Sequence, residues 1–147
     1  LENFDQVFAV NVRGLFLLTQ EIGKSMLDRG YGRIIATCSI QSLISGINDS
    51  AYVASKHAVA GLVKAFAAEW GGRGVNVNGI APGFMVTDNT ANLRKNSDAV
   101  AEITARVPLH RWGQPEDLMG PVIFLASEAS RYVNGQLLVV DGGYVIA

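Results

Sequence analysis

A phenol and an ammonium group open the most uniformly apolar stretch of this chain: Tyr52-Val53-Ala54-Ser55-Lys56 leads into a segment reaching about Trp70. If that segment is helical, Tyr52 and Lys56 lie one turn apart on one face. The same face continues through Val59, Val63, Phe66 and Trp70. A nearby ammonium favours the phenolate, because opposite charge stabilises the ionised form. Free tyrosine titrates near pH ~10, so acid–base work at neutral pH calls for a shift of roughly two to three units. A poorly solvated cation at close range could supply most of it. Spacing alone is weak evidence, since a tyrosine that anchors a helix start and a snorkelling lysine give the same pattern. The rest of the sequence must decide.

The elements needed to position these groups can be read in order. Residues from about Asn3 to Leu27 form a long helix pattern, with Phe4, Phe8, Leu15, Leu18 and Ile22 on one stripe. Asn11 interrupts that stripe, as a satisfied core amide or as part of a site. Arg33 to Ser39, with Ile34-Ile35-Ala36-Thr37-Cys38 inside, is an unalternating strand run suited to a sheet covered on both faces. A polar loop, Gln41 to Ser50, leads to the Tyr52 helix, which ends at Gly71-Gly72-Arg73-Gly74. Its alanines at positions 54, 58, 65 and 68 could face a second subunit. Val75 to Ala81 is a second strand, closed by Pro82-Gly83. Strand, helix and strand make a βαβ unit, whose ligands gather beyond the carboxyl ends of the strands. Ser39, Tyr52 and Pro82-Gly83 all fall on that edge.

Downstream, Phe84 to about Asn96 is irregular and placed where a substrate lid would sit. A short helix follows from Ser97, its cap, to Val107. Arg94, Lys95, Arg106, His110 and Arg111 make this region mildly basic; most read as solvated charges, one or two as partners for a substrate carboxylate. Trp112 reads as a packing residue more readily than as a sugar-stacking one. Pro115-Glu116-Asp117 starts a helix to about Ser127. Asn134-Gly135 turns the chain into a last strand, Gln136 to Val140.

Composition removes several function classes. Of the 147 residues, 49% are hydrophobic and 17% charged, which describes a folded domain and not a disordered one. A net charge of −1 gives no electrostatic case for nucleic acid or an anionic membrane. The lone Cys38 allows no internal disulfide, and one Cys with two His offers no ligand-spaced metal site. No apolar run reaches membrane-spanning length and no signal peptide is evident, so a cytoplasmic location is expected.

The ordered set of Asn11, Ser39, Tyr52-x-x-x-Lys56, Asn76-Val77-Asn78-Gly79-Ile80-Ala81-Pro82-Gly83 and Asp141-Gly142-Gly143 closely resembles the short-chain dehydrogenase/reductase family. Within it, Arg111-Trp112-Gly113-x-Pro115-x-Asp117-Leu118-Met119-Gly120-Pro121-Val122 looks most like 2-deoxygluconate or 2-keto-3-deoxygluconate dehydrogenases, with gluconate 5-dehydrogenases close behind. The resemblance implies hydride transfer between NAD or NADP and a secondary alcohol or ketone of a small sugar acid. Tyr52 would be the general acid/base. Lys56 would lower its pKa and hold the nicotinamide ribose. Ser39 would hydrogen-bond the reacting oxygen, and Asn11 would hold a water linked to Lys56. The Pro82-Gly83 backbone would line the nicotinamide and Thr87 would bond its carboxamide. A homo-oligomer, dimer or tetramer, is implied as well. Ser42 stands where the family often has glycine, which puts the loop's shape in question.

Neither a G-x-G-x-x-G turn nor the family's T-G-x-x-x-G-x-G and N-N-A-G stretches occur. A dinucleotide fold needs two mononucleotide-binding halves. The expected architecture is therefore the C-terminal half of a Rossmann-type doubly wound parallel sheet, about three strands with flanking helices. Residues 1–147 would form a single partial domain without the N-terminal half. A second reading remains open: a non-catalytic half-domain serving as a binding or oligomerisation module.

Overall fold

The computed structural model describes residues 1–147. Three parallel strands, β1 (Gly32–Thr37), β2 (Val75–Pro82) and β3 (Leu137–Val140), form one sheet in the order β1-β2-β3. The expected strands are all present, with ends shifted by one or two residues. β1 pairs with β2 from Gly32↔Val75 to Thr37↔Ile80, and β2 pairs with β3 from Gly79↔Leu137 to Pro82↔Val140. The long helix α3 (Ser50–Trp70) crosses from β1 to β2, and its buried stripe is Lys56, Val59, Val63 and Phe66, as its periodicity predicts. These residues meet Ile34, Ala36, Cys38, Val75, Val77 and Ala81 in the main core.

The central strand is buried along nearly its whole length. β1 is not: its buried residues alternate with partly open ones, and Thr37 is exposed. β1 is the edge strand of the sheet, which accounts for its partial opening, and helices Leu15–Arg29 and Met119–Ala126 both pack against it, as a run covered by helices requires.

The first helix pattern is a continuous helical rod in three parts: α1 (Glu2–Phe8), a π-helical turn (Ala9–Gly14) and α2 (Leu15–Arg29). The stripe read from sequence does not carry through it, since Phe4, Leu18 and Ile22 are exposed. An extra residue in a π turn resets the angular phase of everything after it. The side of α2 that packs inward carries Leu15, Phe16, Thr19, Gly23, Met26 and Leu27. Gly23 is there because Trp70 lies against it: a Cβ at that position would sit 2.6 Å from the indole Cη2. Trp70 is held in turn by Phe66, with ring centroids 4.5 Å apart.

Asparagines lock the end of the sheet remote from the strands' carboxyl ends. Buried Asn78 donates to the Val133 carbonyl at 2.9 Å and accepts from the Gln136 N–H at 3.0 Å. Asn134 accepts from the Val77 N–H at 2.9 Å and donates to the Ala67 carbonyl at 2.9 Å. These bonds seat the loop before β3 on both β2 and α3.

The connection after β2 holds short helical turns at Asp88–Thr90 and Leu93–Lys95, then α4 (Ser97–Arg106). The cap of α4 is Asn96, whose side chain accepts from the Asp98 and Ala99 N–H groups, so Ser97 is its first helical residue and not its cap. Pro115–Leu118 is a tight turn opening α5 (Met119–Ala126). No helix is long and apolar enough to cross a membrane.

Candidate active site

β1 delivers Ser39 just beyond its carboxyl end, where the chain enters the helical turn Ile40–Ser42. The Ser39 hydroxyl accepts from the Gln41 N–H at 3.1 Å, and the Ser39 N–H donates to the Ser42 hydroxyl at 3.2 Å. Ser42 is thus the second half of a capping box that holds the turn. The Ser39 hydroxyl keeps its own proton for a further partner and lies near enough to the Tyr52 phenol to favour its ionised form.

α3 supplies the other groups. The Lys56 ammonium is buried, donates to the Thr37 carbonyl at 2.8 Å and lies 5.5 Å from the centre of the Tyr52 ring. Thr37 is exposed on the sheet edge, yet its backbone oxygen anchors the lysine; no side-chain pattern could have signalled that. Burial pushes the Lys56 ammonium below its ordinary range, with the Cys38 side chain opposing. Burial raises the Tyr52 phenol above its ordinary value; the neighbouring Ser39 hydroxyl opposes this, while Asp49 adds to it. The lowered tyrosine expected from the Y-x-x-x-K spacing is thus absent from the protein alone. Lys56 spends its charge on a carbonyl and shares the desolvated environment it was expected to correct.

Asn11 sits in the π turn. Its amide donates to the Ser55 hydroxyl at 3.0 Å, and Ser55, fully buried, donates to the Tyr52 carbonyl at 2.7 Å. The polar intruder in the helix stripe therefore meets a polar residue of α3 inside the site. Ser55 was missed from sequence; its signal is a hydroxyl buried in an apolar helix between Tyr52 and Lys56. Cys38 lies in the core, where burial lifts its thiol to about 11, unsuited to nucleophilic work.

Ser39 and Tyr52 open onto a cleft of about 370 Å³, also lined by Ile40, Gln41, Asp49, Gly83, Phe84, Asn89, Thr90 and Leu93. Gly83 meets the end of β3 closely, since a Cβ there would lie 2.8 Å from the Asp141 Cα. Pro82 is the last residue of β2. Thr87 lies outside the cleft lining, its N–H bonded to the Thr90 hydroxyl at 3.2 Å and its carbonyl to Arg94 at 3.1 Å. None of the five basic residues of the lid region lines the cleft. Arg94 is engaged with Thr87, Arg106 lies over the Tyr144 ring, and Arg111 grips both carboxylate oxygens of Asp117 at 2.7 and 2.9 Å. Trp112 is a packing residue, buried against Phe84 with its indole N–H on the Thr104 hydroxyl at 3.1 Å.

A family model described as enoyl-(acyl carrier protein) reductase matches residues 1–145. The chain is 50% identical over 142 residues to the 2-dehydro-3-deoxy-D-gluconate 5-dehydrogenase of Pseudoalteromonas atlantica, covering 97% of this chain and 56% of that protein. It is 51% identical over 144 residues to the enzyme of the same name from Bacillus subtilis, covering 98% and 57%. The gluconate 5-dehydrogenase of Burkholderia cenocepacia, solved with NADP and tartrate, superimposes with a TM-score of 0.98 at 39% identity, over 99% of this chain and 57% of that one. The chain belongs to the short-chain dehydrogenase/reductase family. Its three-stranded sheet and helices are the Rossmann-like architecture of those short-chain dehydrogenase structures. The chain spans a little more than half the length of the curated short-chain dehydrogenases it matches.

Proposed function

We propose that the protein to which this chain belongs transfers a hydride between NAD or NADP and a secondary alcohol or ketone of a sugar acid such as a gluconate or deoxygluconate. One observation carries the reading: a Ser39 hydroxyl, a Tyr52 phenol and a Lys56 ammonium converge at the carboxyl edge of a parallel sheet, at the mouth of a cleft. The names of the relatives and the NADP in the Burkholderia structure support the substrate class and the cofactor. The residues present fit the nicotinamide end of such a cofactor. Lys56 uses one of its three N–H donors on Thr37, which leaves two for the ribose hydroxyls, beside the Tyr52 hydroxyl. The Pro82-Gly83 backbone would line the ring, and Thr87 would turn its side chain to the carboxamide. The bound nicotinamide supplies or accepts the hydride. No glycine-rich pyrophosphate turn lies in these 147 residues.

The chain's own groups then divide the work. Ser39 donates a hydrogen bond to the substrate oxygen and steadies the charge that develops there. Tyr52 gives that oxygen a proton during reduction and takes one during oxidation. Lys56 offsets the negative charge left on Tyr52 and, through Asn11 and an ordered water, passes protons toward solvent. Asn89, Thr90 and the amide of Gln41 suit a polyhydroxylated substrate better than an apolar one. With no cation in the cleft lining, its carboxylate would be met by neutral donors.

The alternative of a non-catalytic half-domain has its own support in exposed apolar helix faces, including Leu17, Leu18 and Ile22 on α2 and Ile123 and Phe124 on α5. We assign those faces to homo-oligomerisation of the enzyme. Tyr52→Phe in the full-length protein decides between the readings. The proposal expects sugar-acid oxidation to fall by roughly 10²–10⁴-fold with NAD(P)H binding retained. Equal turnover in wild type and variant would end it.

A further inference from the structure

The residue at the head of α3 has the type of a helix cap and does not act as one. An aspartate in that place normally accepts from the N–H groups two or three residues on. The Asp49 side chain accepts none of them, and its backbone, at φ −137° and ψ 35°, lies outside the extended region a capping residue uses. Asn48 turns the chain just before it with a φ of +59°. The residue is exposed, within reach of a ligand, and lines the cleft with Ser39 and Tyr52. Asp49 and Tyr52 stand three residues apart, neighbours at the start of one helix. The Asp49 charge reaches the phenol, where it helps keep the proton in place. No opposite charge in the cleft answers it: Asp49 is the only side chain of the lining that is charged at neutral pH. Lys56 is buried, bonded to the Thr37 carbonyl and absent from that lining. Asn89 and Thr90 line the cleft from the turn after β2, and the Arg94 guanidinium reaches the Thr90 hydroxyl at 3.4 Å. The cleft is therefore negative beside Tyr52 and neutral to positive at that turn.

We propose that Asp49 is a specificity-determining residue whose carboxylate bars a substrate carboxylate from the carbon next to the reacting one. The proposal rests on the sugar-acid reading above and adds an orientation to it. The acid group lies toward Asn89 and Thr90, and a hydroxyl-bearing carbon faces Asp49. Like charges a few ångströms apart repel, more strongly where water is partly excluded, whereas a hydroxyl donates to the same carboxylate. A repulsive group of this kind selects by rejecting the wrong substrate, here a 2-hydroxy acid, and not by tightening on the right one.

Lactate and lactamide test this, because they differ only at the carbon bonded to the reacting carbinol, where one is charged and the other neutral. Their kcat/KM values are compared in full-length wild type, Asp49→Asn and Asp49→Glu, using both enantiomers, NAD and NADP each in excess, and D-gluconate as reference. Wild type should prefer lactamide roughly tenfold at low salt, and Asp49→Glu, which keeps the charge, should keep that preference. Asp49→Asn should bring the ratio to within about twofold through a gain on lactate. About 1 M NaCl should shrink the wild-type ratio and leave that of Asp49→Asn in place, an arm that needs no substitution to be read in wild type. Melting temperatures of the three proteins should agree, since the carboxylate caps nothing in the fold. A ratio that Asp49→Asn leaves where it was, a preference lost equally in Asp49→Glu, or no turnover of lactate by Asp49→Asn would overturn the assignment; D-gluconate turnover by wild type would still uphold the sugar-acid reading. Wild-type enzyme inactive on D-gluconate and on other sugar acids would overturn the two together.

Discussion

Tyr52 and Ser55 carry the consequences that belong to single residues. In the protein alone Tyr52 is held above its ordinary pKa, chiefly by burial, so it is a protonated phenol at neutral pH. The sign of the pH effect follows. Reduction, which takes a proton from the phenol, should be nearly independent of pH across the neutral range. Oxidation, which needs the phenol deprotonated in free enzyme, should gain roughly tenfold in kcat/KM per pH unit up to the alkaline limit of the assay. Profiles in both directions on the full-length enzyme check this; a flat oxidation profile between about pH 6 and 9 would contradict it. Ser55 makes a different prediction. Ser55→Ala leaves the Asn11 amide without its 3.0 Å partner, a loss of about 1–2 kcal/mol that a urea midpoint will register.

Among the elements, contact between α2 and α3 depends on a residue with no side chain. Alanine is a better helix former than glycine by about 1 kcal/mol, so propensity alone would make Gly23→Ala stabilising. Steric overlap should win, because the new methyl would lie 2.6 Å from a Trp70 ring that Phe66 already pins. Overpacking of this kind costs about 1–3 kcal/mol, and the net change should be destabilising. A double-mutant cycle with Trp70→Leu should recover most of the loss; full persistence of the penalty in that background would place the strain elsewhere. The π turn is the second decision made at this scale. It rotates α2 relative to α1, which hides Thr19 and Gly23 and leaves Leu18 and Ile22 outside.

For the whole molecule, the exposed residues matter as much as the core. Val10, Leu17, Leu18, Ile22, Ile123 and Phe124 are open to solvent, and β1 leaves one edge of the sheet unpaired. Apolar patches and bare strand edges promote association. The 147-residue chain should therefore sediment as a concentration-dependent oligomer, and Leu18→Lys should shift it toward monomer with its helical circular dichroism intact. A monodisperse monomer over the whole concentration range would show that these faces do not drive assembly.

Much of this molecule was legible in its residues. The β-branched runs gave three strands, and the period of α3 gave its buried stripe, because local sterics and a single apolar face act over a few residues. The strand–helix–strand order put Ser39, Tyr52 and Pro82-Gly83 on one sheet edge, because a βαβ unit leaves its chain reversals there. Other outcomes needed the tertiary structure. The buried face of the first helix turned on one extra residue in a π turn and on the bulk of Trp70, 47 positions past Gly23 in the sequence. The direction of the Tyr52 pKa turned on desolvation and on a Thr37 carbonyl that captures Lys56. The spacing of two residues fixes which groups can meet. The dielectric around them, and the backbone atoms that compete for their charge, exist only once distant segments have packed together.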